Sequence, residues 1–150
     1  VGGYTYSFTR QFAFGLATIK DPSGTVHNIN HAVYFSEVVS NSAVDVLMNL
    51  FSSFRLVNTG PVFSEIELIV LNPAGTNVPA GVLESTIRYR IYKNGKIRLY
   101  VMTRAVNLIP AGLLYGATSR VNFADGSYTY DSPVQLSSRA DLSRPERCSM

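Results

Sequence analysis

Three small groups of residues have side chains that could do chemistry. Glu65 and Glu67 sit two apart in a strand-like run, which places both carboxylates on one face, as a glycosidase acid and its partner would need. His27 and His31 share a parity, but four residues of strand separate them by about 13 Å, too far for one metal ion, and no third ligand stands near. Cys148 follows Arg147, a cation that favours the thiolate, in a tail that offers it no base. Gly-x-Ser-x-Gly is absent, and no Ser-His-Asp order, glycine-rich phosphate loop or Cys-His pair has a supporting context. The carboxylates read as a solvated face or as salt-bridge partners of a basic hairpin. The histidines read as solvated or core-edge residues. The expectation is a protein with no catalytic activity, no cofactor and no metal.

The cations are more informative. The net charge is only +3, from 13 Lys and Arg against 10 Asp and Glu, too little for phosphate affinity unless the cations cluster. They do: Arg88, Arg90, Lys93, Lys96, Arg98 and Arg104 fall in one short segment. Tyr92 and Tyr100 interleave with them, and guanidinium with stacked rings suits single-stranded RNA. Arg88, Arg90, Lys96, Arg98, Arg104, Tyr92 and Tyr100 are therefore the candidate nucleic-acid-binding residues. The competing reading is one outward strand face whose cations serve solubility and edge protection.

That segment is a hairpin around Asn94-Gly95. A two-residue loop would set Ile91 opposite Arg98 and mix the faces. A three-residue loop, Lys93-Asn94-Gly95 with glycine in a left-handed bulge position, pairs Ile91 with Ile97 and Tyr89 with Leu99. One residue of slip would turn every side chain over, so the burial pattern selects the bulged loop. Arg88, Arg90, Tyr92, Lys96, Arg98, Tyr100 and Met102 then share the other face.

The surrounding elements read mostly as strands. Residues 4–20 alternate with an aromatic face of Tyr4, Tyr6, Phe8, Phe12, Phe14 and Leu16, and a bend near Arg10 would make two strands of one. Asp21-Pro22-Ser23-Gly24 is a tight turn. Residues 25–36 form a strand with apolar residues on both faces, which predicts burial on both sides or a partner packing on the outside. Residues 42–54 carry Ala43, Val46, Leu47, Leu50, Phe51 and Phe54 at helical spacing, with Ser42 and Asp45 as a capping box, and predict the single helix. A strand follows from Val62 to Val70, and 72–81, with two prolines and two glycines, is a loop. Asp125-Gly126 closes a second hairpin that pairs Phe123 with Tyr128 and Val121 with Tyr130.

Seven or eight antiparallel strands and one helix predict an all-β, jelly-roll type sandwich. The 150 residues predict about one domain, set at 1–131. Residues 132–150 lose their aromatics, gain serine and arginine, and read as an extended C-terminal arm. No run approaches the roughly 20 apolar residues of a membrane span, and Val-Gly-Gly does not open like a signal peptide. Charged residues make up 15% of the chain, well below the roughly 25% of soluble domains. With apolar residues on both faces of several strands, this points to surface covered by other subunits.

The run Leu50-Phe51-Ser52-Ser53-Phe54-Arg55-Leu56, closing the expected helix and feeding a strand that ends near Leu71, resembles an element of single jelly-roll coat proteins of small positive-strand RNA viruses. The chain departs from that family in having no basic N-terminal arm before its first strand. The resemblance implies a virion capsid subunit that self-assembles in many copies, possesses no chemistry and sets a basic face near genomic RNA. The alternative is a trimeric fibre-tip or lectin-like sandwich that binds a receptor or glycan through loops such as 72–81 and 113–116.

Overall fold

A computed structural model describes residues 1–9, 15–40, 43–107, 115–123, 129–136 and 148–149. Eleven strands and no helix occur among them: β1 (Thr5–Thr9), β2 (Gly15–Lys20), β3 (Val26–Ser40), β4 (Ala43–Met48), β5 (Leu50–Thr59), β6 (Phe63–Leu71), β7 (Leu83–Tyr92), β8 (Ile97–Ala105), β9 (Tyr115–Phe123), β10 (Thr129–Leu136) and β11 (Cys148–Ser149). They form two sheets. One runs β1-β2-β3-β9-β10, with β4 also on β3; the other runs β11-β8-β7-β6-β5. Every pairing is antiparallel. Leu16, Val33 and Phe35 of the first sheet share one apolar cluster with Leu68, Ile87, Tyr89 and Val101 of the second. The core therefore lies between two sheets, as in a β-sandwich.

The aromatic run is two strands. β1 and β2 pair with a register shift between Ser7 and Phe8; Phe12 and Phe14 lie outside the described residues. Tyr4, Tyr6 and Phe8 pack against the core. The 21–24 turn closes through Gly24 N–H to Asp21 O, with Gly24 at φ 94°. β3 runs longer than expected. His31, Ala32 and Val33 are buried in succession, which fits a strand covered on both sides.

The expected helix over 42–54 is strand. β4 pairs with β3 through Tyr34↔Met48 to Ser40↔Ala43, and β5 pairs with β6 through Leu50↔Leu71 to Thr59↔Ser64. Helical spacing in so short an apolar run also fits strand alternation, and Val44, Val46 and Val57 favour the pleated form. Neighbouring strands then supply the hydrogen bonds that a helix would have made internally. The break between β4 and β5 is Asn49, whose buried amide donates to Val33 O at 2.8 Å. Ser42 lies outside the described residues, and Asp45 sits opposite Glu37 in the sheet rather than in a cap.

Register follows the apolar pattern elsewhere. Ile91 faces Ile97 and Tyr89 faces Leu99; Gly95 has φ 83° and its N–H reaches Tyr92 O at 3.0 Å, so the hairpin has its bulged three-residue loop. Val121 faces Tyr130 as expected, while the 124–128 turn lies outside the described residues. The boundary placed at 131/132 falls inside β10, which stays paired with β9 to Leu136. Cys148 and Ser149 lie beside Val101 and Tyr100 of β8.

Candidate functional site

The outer face of the second sheet carries the chemistry-bearing side chains. Strand alternation sends Leu68, Ile87, Tyr89, Ile91, Leu99 and Val101 inward, and Glu65, Glu67, Arg88, Arg90, Arg98 and Tyr100 outward. Cross-strand register sets Glu67 between Arg55 and Arg88, and Glu65 beside Arg90.

The carboxylates are not a solvated face. Glu67 is 2% exposed and Glu65 6% exposed, although both point outward. Guanidinium groups cover them. Arg55 Nε and Arg88 Nε donate to the two oxygens of Glu67 at 2.6 and 2.7 Å, and Arg90 Nε donates to Glu65 at 3.0 Å. Arg88 also approaches Glu65 at 3.9 Å. Burial pushes the Glu67 carboxyl up, but hydrogen bonds from Arg55 and Arg88 outweigh it and hold the group below its usual range. A carboxyl held ionised is in the wrong state for a general acid. The salt-bridge reading of Glu65 and Glu67 is the one the geometry supports.

The candidate nucleic-acid residues therefore separate into two sets. Arg88 and Arg90 are tied to internal carboxylates, and Arg104 is paired with Glu84 at 2.7 Å. The Arg90 guanidinium also lies 4.7 Å from the Phe63 ring centre and 5.4 Å from that of Tyr100. Lys96 and Arg98 are exposed, with no ion pair among the described residues. Arg98 lies 5.9 Å from the Tyr92 ring centre, and both line a shallow cleft at the hairpin tip with Asn94, Lys96 and Ile97. The alternation of residue types made the shared face legible. Compensation of its first two arginines depends on register with β6, and Arg55 was missed because its segment read as helix.

The histidines do not come together. Exposed His27 bonds Asp21 at 3.2 Å in the first turn; hydrogen bonds from Ser23 and then His27 lower the Asp21 carboxyl to about 2. His31 is buried between the sheets, where Nδ1 meets Tyr89 Oη at 2.5 Å and Nε2 meets Ser119 Oγ at 2.9 Å. Leu16 N–H donates to the same phenol oxygen. The phenol O–H is then assigned as the donor to His31 Nδ1, leaving the imidazole neutral with its proton on Nε2 toward Ser119. Burial pushes the His31 pKa down to about 3 and raises that of Tyr89. This is an inter-sheet polar joint closed to substrate. No group of three or more His, Cys, Asp or Glu that could hold a metal occurs among the described residues.

Glu37, at the far end of β3, is a second buried anion. Its carboxylate accepts N–H bonds from Thr76, from Asn77 at 2.9 Å and from Val78 at 3.0 Å. Asn72, fully buried, closes the same loop through Pro73 O, Pro79 O and Leu83 N. The 72–81 segment is thus a loop, as expected, but one whose backbone donors are bound from beneath. Of the other candidate binding loop, 113–114 lie outside the described residues.

Comparison with family models, curated protein sequences and solved structures returned no match. No helix among the described residues is long and apolar enough to cross a membrane.

Proposed function

We propose that the chain is a non-enzymatic structural subunit of a viral coat, associating with many copies of itself into a shell around an RNA genome, and so located in the virion. The observation that carries this reading is the apolar row at the β5 edge. Phe54 and Leu56 have the inward parity of Leu68 and Ile66, yet they are 46% and 58% exposed; Val57 on the same strand is 42% exposed and Val62 in the turn that follows it 61%. Phe8 meets Phe54 edge-on at 5.4 Å, and Leu56 and Val57 remain exposed.

Covering such a side chain fully is worth about 1.5–3 kcal/mol, before the costs of association. Several exposed large apolar side chains along one edge strand and its turn fit an interaction surface. The register shifts between Phe51 and Ser53 and between Leu56 and Asn58 break the edge ladder. They disfavour simple strand addition, so contact between copies would be by side-chain packing. The sparse charge of the chain fits repeated lateral contacts.

The finer jelly-roll assignment has weaker support. A jelly roll moves the chain back and forth between its sheets, whereas β5 to β8 is a meander within one sheet and the return to β9 is a single long step. The coat reading therefore stands on surface rather than on strand order.

Light scattering and negative-stain microscopy of the 150-residue chain in native buffer test the proposal. Uniform large particles are expected, and the exposed variants Leu56→Glu and Val62→Glu should abolish them while leaving the circular dichroism spectrum intact. A monodisperse monomer at high concentration, or particles indifferent to both variants, would overturn it.

A further inference from the structure

The outer face of the second sheet holds two electrostatically different regions. In its middle, three arginines close over two buried carboxylates, and Arg104 lies on Glu84. A phosphate arriving there must displace a short charge-assisted bond and leave a carboxylate uncovered. At the hairpin tip, Lys93, Lys96 and Arg98 are exposed, with no carboxylate within ion-pair distance among the described residues. Only cations that are not already neutralised release counterions from a polyanion on binding.

The tip is also held in place. A methyl group on Gly95 would meet the Tyr4 ring at 2.7 Å, so that ring packs directly beneath the turn. Lys93 N–H bonds Val62 O at 3.3 Å, and Asn94 Oδ1 accepts from Lys96 N–H at 3.2 Å. Tyr92, half-buried between Phe63 and Arg98, presents an aromatic ring beside the cations. A preformed cationic turn with a ring at its side suits a flexible phosphodiester whose bases can stack.

We infer that the chain contacts single-stranded RNA through the hairpin tip, with Lys93, Lys96 and Arg98 on phosphate and Tyr92 against a base, and that Arg88, Arg90 and Arg104 are structural. This deepens the coat reading and rests on it for the identity of the nucleic acid. Three neutralised phosphates give a slope of log K on log salt of about −2; all six hairpin cations would give about −4.

The test is fluorescence anisotropy with a labelled ten-nucleotide oligouridine across a salt series. Lys96→Ala and Arg98→Ala, both at exposed positions, should each reduce the slope by about 0.7 and weaken binding several-fold. Arg104→Ala, which removes a paired but exposed cation, should leave the slope unchanged. Equal effects at Arg104 and Arg98, a wild-type slope near −4, or tighter binding of a heparin fragment than of RNA at the same salt would each overturn the inference. Particle formation read separately keeps the two proposals apart. Assembly without tip-dependent RNA binding removes only the inference, and tip-dependent binding by a chain that never assembles removes only the coat reading.

Discussion

Mild acid should weaken this protein, and His31 should be the cause. Its imidazole is 3% exposed and neutral, bridging Tyr89 of one sheet and Ser119 of the other. Burial lowers its pKa to about 3, against about 6.5 in an unfolded chain. Between those values the unfolded state binds the extra proton, so stability rises with pH and is lost as pH falls below about 6.5. Below the folded pKa the loss stops growing. The slope approaches 1.4 kcal/mol per pH unit, and integration from neutral pH gives a loss of about 2 kcal/mol at pH 5. For a domain of ordinary stability that is a large fraction. Urea titration followed by circular dichroism between pH 7 and 5 should show the midpoint fall by about 1 M, taking a slope of about 2 kcal/mol per molar. The carboxyls of Asp21 and Glu67 are lowered and titrate beneath this window. His31→Gln removes the titration, so its stability should be nearly flat over the same range, whatever its value at pH 7. Equal pH slopes in wild type and variant would refute the reasoning, as would stability that rises toward pH 5.

Two other perturbations have local readouts. Glu37→Gln removes the charge that accepts three backbone N–H groups under the 72–81 loop; a loss of about 1–3 kcal/mol is expected. Amide exchange should accelerate first at Thr76, Asn77 and Val78, and unchanged protection there would contradict the assigned role. Arg88→Ala leaves the buried Glu67 with Arg55 alone and Glu65 with Arg90 alone. It should cost about 2 kcal/mol in denaturant titration, and adding Glu67→Gln should recover part of that loss.

Where a residue's role depended on its own alternation, it was legible in the sequence. The three-residue hairpin loop follows from requiring Ile91, Tyr89, Ile97 and Leu99 to share a side, and the structure has that register. The split of the first strand near Arg10 and the turn at Asp21 were visible for similar reasons. Residues 42–54 were not, because in a short apolar run six side chains at helical spacing also satisfy two faces of paired strands. The choice is made by partners far along the chain: Leu68 opposite Phe54, and Glu67 opposite Arg55. Sequence proximity likewise grouped seven residues on the hairpin as one candidate interface. The division among them is set by Glu65 and Glu67, which reach that face only through the β6–β7 register.

The two sheets also divide the burden of burying polarity. Between the sheets, His31 meets Tyr89 and Ser119, and the bond that Tyr89 makes to Nδ1 depends on the imidazole being neutral. On the outer face of the second sheet, by contrast, the carboxyls of Glu65 and Glu67 are sealed beneath arginine side chains that remain partly exposed to water. The joint needs a neutral imidazole and the outer network an ionised Glu67, so both are disfavoured by a gained proton. At mildly acid pH the folded joint keeps its neutral imidazole, and the cost enters because the unfolded chain takes up the proton, while the Glu67 carboxyl, held below its usual range, stays ionised. Mild acid should therefore lower the stability of the whole domain through His31 while leaving the Arg55–Glu67–Arg88 contacts made.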